Sequence, residues 1–152
     1  MTLRFFQWLE SFAFGADSIY TVAFINVAHL LCLVVFIGAL LIVDLRLLGS
    51  GMRRQPLSEV VRAANPWLVG GFIGMAITGS LQVVATPMKA YFSDQFWLKM
   101  QLLVVAVILA IVVRWLASRR DEAPAWGKPA GLVSILLWSF IAVQGRLIGL
   151  LQ

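Results

Sequence analysis

The chain has 152 residues, 61% of them hydrophobic and 12% charged, with a mean hydropathy of +0.92 and a net charge of +5. A soluble domain carries roughly 45–50% apolar and about 25% charged residues, so too little polar surface remains here to coat a water-soluble globule, and the same figures exclude disorder. One cysteine excludes an intramolecular disulfide, and one histidine excludes any metal site that needs two imidazoles from one chain.

At the N-terminus Phe5, Trp8, Leu9 and Phe12 recur at i, i+3, i+4 and i+7. This predicts a short helix lying in the membrane interface, or a docking surface for a second membrane subunit. Glu10 and Asp17 break up this stretch, which does not read as a signal peptide. Four apolar runs follow, Ile19–Val43, Trp67–Thr86, Phe96–Leu116 and Gly131–Leu151, each near the length of about 20 residues needed to cross the hydrocarbon core. After the first, Ser58 is placed to cap a short helix through Ala64 that Asn65-Pro66 ends. Ser93-Asp94 is placed to cap the third span. All five prolines are expected between spans, and five of the six tryptophans sit outside the spans or at their ends as an aromatic belt, with Trp138 mid-span. Period-2 alternation is missing. The expected fold class is all-α: one transmembrane domain over 1–152, an integral-membrane four-helix bundle with a short N-terminal interfacial helix.

Loops one and three, with the adjoining span ends, hold Arg46, Arg53, Arg54, Arg62, Arg114, Arg119, Arg120 and Lys128, against Arg4, Lys89, Lys99 and Arg146 on the opposite side. That imbalance predicts cytoplasmic loops one and three, both termini outside, and a positive charge that reports topology and lipid contact rather than nucleic-acid binding.

Depth counting at about 1.5 Å per residue puts Asn26, His29, Thr78, Ser80, Gln82, Lys99, Gln101, Gln144 and Arg146 in the outer half, drawn from all four spans. Polar groups are costly in lipid, so they predict an outward-facing pocket in which Asn26, His29, Gln82, Lys99, Gln144 and an inward-turned Arg146 meet. Gly70, Gly74, Thr78 and Gln82, four apart, form a close-approach ladder, with Ala106, Ala110, Gly145 and Gly149 as further small-residue surfaces. Each polar residue also has a structural reading: Lys99 and Arg146 snorkelling to headgroups, Asn26 and Gln82 as interhelical glue, Cys32 as a packing residue. His29 reads either as a structural hydrogen bonder or as a haem or copper ligand or proton-transfer group. Asp44 and Arg46 are two apart and face different ways. Asp44 is expected instead to pair with Arg114 and clamp the other end of the bundle.

His29-Leu30-Leu31, Gly38 and Val43-Asp44-Leu45-Arg46-Leu47-Leu48-Gly49, followed by Asn65-Pro66-Trp67, Thr78-Gly79, Lys89-Ala90-Tyr91, Phe96-Trp97-Leu98-Lys99-Met100 and Gly145-Arg146-Leu147-Ile148-Gly149, resemble an uncharacterised family of small four-span bacterial membrane proteins. The resemblance covers nearly the whole chain and implies the bacterial inner membrane. A more distant likeness, at His29 and Lys99, is to copper-resistance D-type membrane domains, and a further one is to the small haem-binding membrane protoporphyrinogen oxidases.

Two functions from different classes follow. The first is a cofactor-binding protein built on His29, with haem b as first ligand and copper(I), held by His29, Cys32 and a methionine, as second. In the haem version Lys99 and Arg146 would pair with propionates, and a single imidazole is an ordinary axial ligand. The second is a non-catalytic accessory or scaffold subunit of a larger membrane complex, with a membrane-protein partner or a further copy of this chain. No phosphate loop, nucleophile elbow or paired catalytic carboxylates are present, so whether the protein is an enzyme stays open.

Overall fold

A computed structural model describes residues 2–14 and 19–150, the side chains of 148–150 excepted. Among them are six helices and no strand: α1 (Thr2–Glu10), α2 (Ile19–Leu48), α3 (Leu57–Ala85), α4 (Pro87–Tyr91), α5 (Asp94–Ala117) and α6 (Gly127–Leu150). The helices α2, α3, α5 and α6 are long and apolar enough to cross a membrane. No more than 22% of the most apolar window of each is buried within the molecule. The remaining apolar surface, including Phe24, Val34, Ile77, Ile108 and Leu136, is exposed and requires a lipid bilayer as its solvent. This is a multi-pass membrane protein.

The four long helices form a ring in the order α3, α2, α6, α5. Helix α2 packs along both α3 and α6, α5 packs on α6, and α3 and α5 touch only sparsely. At mid-height Phe36 of α2 meets Trp138 of α6 edge-to-face with ring centroids 4.6 Å apart, and Leu40, Leu68, Met75 and Ala106 complete the core. The close approach of α2 to α3 depends on Gly71, where an added Cβ would lie 2.9 Å from the Phe36 backbone nitrogen. The expected ladder is therefore one residue out of phase at its lower end. Gly70 faces open space, whereas Gly71 and Gly74 meet α2. Side-chain size at the seam selects the face, and spacing alone did not choose between adjacent glycines. Gly149 lies outside the described side chains.

Asn65-Pro66 does not end a helix. Helix α3 begins after Pro56 and runs through Pro66 without a break, and no side-chain cap forms at its start. Proline removes one backbone N–H and crowds the preceding turn, but a long span sustained on either side absorbs that local loss. Pro129 likewise lies inside the first turn of α6, where no intrahelical donor is needed. The Ser93 cap of α5 is present, its hydroxyl accepting from the Phe96 N–H at 3.3 Å.

Helix α1 forms, and its contact with the rest of the molecule is made by a residue outside the Phe5, Trp8, Leu9 and Phe12 face, which stays open to the membrane or a partner. Phe5, Trp8 and Phe12 are more than half exposed, and the buried residue is Phe6. Phe6 packs among Tyr91, Phe96 and Trp97 at centroid distances of 5.3 to 6.5 Å. A short helix docks through whichever residue meets partner rings, here Tyr91 of α4 with Phe96 and Trp97 of α5.

Candidate functional site

The polar side chains segregate to two ends of the bundle. At the first, where α2 begins and α3 ends, His29 lies half-buried between α2 and α3, its Cε1 facing Gly79. Its Nδ1 is 2.8 Å from Thr78 Oγ1. That hydroxyl donates to the Gly74 carbonyl at 2.7 Å, so its proton is committed and it accepts from the imidazole. With the Met75 backbone as a further hydrogen-bond partner of the ring, this network is the one expected of the Nδ1–H tautomer, in which Nε2 carries the lone pair, and no donor to Nε2 is found among the described residues. Lys99 of α5 comes within electrostatic range of the ring, and its Nζ lies beside Gly145 of α6, 3.0 Å from where a Cβ would stand. All four spanning helices thus contribute around His29, Thr78, Lys99 and Gly145.

Other expected members are placed less centrally. Gln82 donates from Nε2 to Asn26 Oδ1 at 2.9 Å across the same α2/α3 seam, near its exposed rim. Gln144 is half-buried. Arg146 is exposed, so its expected inward turn is not made. It stands in the last turns of α6, where outward extension leaves its charge solvated instead of buried beside Lys99. Gln101 is exposed, and Ser80 bonds back to the Ala76 carbonyl of its own helix at 2.8 Å. Cys32, one turn from His29, points its sulfur at Gly74. Among the described residues no three His, Cys, Asp or Glu side chains group to hold a metal ion.

At the second end, where α2 ends and α3 begins, Arg46 is only 7% exposed. It donates from Nε to the Gln55 carbonyl at 3.0 Å and from Nη2 to the Asp121 carbonyl at 3.3 Å. Asp121 also receives the Leu57 N–H at 2.9 Å and, on its carboxylate, the Ser58 hydroxyl at 2.6 Å. Arg46, the Leu57 N–H and the Ser58 hydroxyl together latch the α2–α3 connection to the α5–α6 loop. The sequence reading gave Arg46 no such task, although its place in a tight Asp-x-Arg motif before Gly49 was the available signal. The expected Asp44–Arg114 ion pair is not made. Asp44 Oδ2 and Arg114 Nε are both buried without a hydrogen-bond partner, and Arg114 Nη2 donates to Asn65 Oδ1 instead. Asn65 sits on α3 opposite the end of α5, and it captures the guanidinium before Asp44 can.

No curated protein and no solved structure matches the chain. A family described as one of unknown function, DUF6644, matches residues 5–151. That span takes in all four membrane helices and both polar ends, and the chain belongs to this family.

Proposed function

We propose that the His29 end of this membrane protein binds haem b, with His29 Nε2 as the axial ligand. The carrying observation is the pairing of Nδ1 with Thr78, whose own proton is spent on Gly74. An imidazole held through one nitrogen presents the other as a neutral donor, the arrangement metal-ligating histidines use. A porphyrin brings four nitrogens of its own, so one protein ligand is enough. Copper(I) would instead need His29, Cys32 and a methionine as ligands; among the described residues no three His, Cys, Asp or Glu side chains group to hold a metal without one. Lys99 is the cation for a propionate, Arg146 a second at the rim, and Asn26, Gln82 and Gln144 the polar border. Bound haem would supply one-electron or dioxygen chemistry. This chain's part is to fix the imidazole and shield it between α2 and α3.

On this reading the protein lies in a bacterial inner membrane, and the arginine distribution supports a sidedness that puts the His29 end and both termini outside. Protein purified from haem-replete cells should show a Soret band that His29→Ala abolishes, and Thr78→Val should weaken haem affinity about 10–100-fold. A folded, colourless preparation would sink the haem reading, and stoichiometric copper lost in Cys32→Ser would replace it with the copper one. The accessory-subunit reading is favoured by one observation, the exposed stripe of Phe5, Trp8 and Phe12 on a helix already anchored by Phe6. It requires a stoichiometric partner to co-purify in mild detergent and to be lost in Trp8→Ala.

A further inference from the structure

At the arginine-rich end, Asp44 is 3% exposed and its Oδ2 has no hydrogen-bond partner. The Ser134 side chain of α6 hydrogen-bonds the same carboxyl group. Across from it, half-buried Arg114 of α5 has its Nε enclosed and likewise without a partner. Both groups border a cavity of about 10 Å³ whose other walls include Leu40, Val43 and Leu109. Roughly 10–15 Å³ is what one water occupies, and a buried water needs two to four polar partners. Here they are Asp44, Arg114 and Ser134. Arg114 is also the one lining residue this cavity shares with an open groove of about 780 Å³ between α3 and α5, bordered by Glu59, Arg62 and Asn65.

We propose that Asp44 and a single water in this cavity form a proton-binding site reached from the α3/α5 groove past Arg114. In the ionised state the water accepts from Arg114 Nε–H and donates to Asp44 Oδ2. On protonation a hydronium in the groove passes one proton to the cavity water, which releases one of its own to Oδ2. An O–H bond forms on the carboxyl group, the water is restored, and Arg114 stays charged throughout. No other charged side chain faces Asp44 among the described residues. Arg46 on its own helix turns to the Gln55 and Asp121 carbonyls, Lys128 of α6 is exposed, and Glu59 and Arg62 of α3 border the groove. An acid kept inside a span with an open hydrogen-bonding position costs stability, and proton relays are where such acids occur.

The test is infrared difference spectroscopy on the full chain in lipid nanodiscs as pH is stepped. The wild type should show a protonated-carboxyl band that shifts in D₂O, Asp44→Asn should lose it, and Ser134→Ala and Arg114→Gln should move it. Arg114→Ala should hasten deuterium entry into that band at least about tenfold, given the rate cost of a side chain that must swing aside. Spectra identical between the wild type and Asp44→Asn would overturn the site, and an unchanged exchange rate in Arg114→Ala would overturn the route. Should Asp44→Asn fail to fold, a band unmoved by Ser134→Ala overturns the assignment by itself.

Discussion

At the arginine-rich end, Arg46 is sunk between two loops and both of its hydrogen bonds end on backbone carbonyls, while Ser58 and Asp121 close the same latch. At the His29 end, Lys99, Gln144 and Arg146 make no hydrogen bond to any described residue, and the Asn26–Gln82 pair sits near the exposed rim. Polar groups whose bonds all run to backbone hold a structure in one arrangement. Polar groups with open positions can exchange partners with a ligand. The contrast assigns stability chiefly to one end and binding capacity chiefly to the other, with Asp44 as the exception inside the stable end.

Substitutions should break along that line. Arg46→Ala removes two hydrogen bonds from a buried charge and should cost about 3 kcal/mol, read as thermal unfolding in detergent. A loss as small as that of a surface residue would mean the latch is ornamental. Next comes Gly131→Ala at the same end, where a Cβ would lie 2.9 Å from the Asp44 carbonyl oxygen. The crowding of α6 on α2 should cost about 2 kcal/mol. Ser58→Ala removes one neutral donor to Asp121, and a cost of about 1 kcal/mol is expected. At the His29 end Asn26→Ala should cost about 0.6 kcal/mol, the average for an interhelical hydrogen bond in a membrane. Arg146→Gln should stay within about 0.5 kcal/mol. A ranking that inverts the two ends would undo the division of labour.

The spans were legible in the sequence because a run of apolar residues of the right length has one stable fate in a bilayer. Ser93 was legible as a cap because its hydroxyl acts on a neighbour three residues away. Helix phase was less so. Gly70 and Gly71 are both small, and only the position of Phe36 on another helix decides which is buried. Pro66 misled for a related reason, since its local cost is real but the surrounding span outweighs it. In the candidate site, Asn26 with Gln82 and His29 with Thr78 could be grouped by depth, because equal depth on adjacent helices is nearly contact. Depth does not give azimuth, and Arg146 fell outside the group for want of it. The Asp44–Arg114 pairing failed on a competitor, Asn65, whose reach across the α3/α5 gap no local pattern encodes.

Cys32 gives the seam between α2 and α3 a chemical clock. Its sulfur stands where a side chain on Gly74 would be, and it is the sole thiol in the chain. A maleimide can therefore attach at this position alone, and the labelling rate of the unaltered protein follows the access to that half-buried sulfur. The same rate, followed while haem, copper or a lipid is added, will tell whether any of them closes the seam or pries it open.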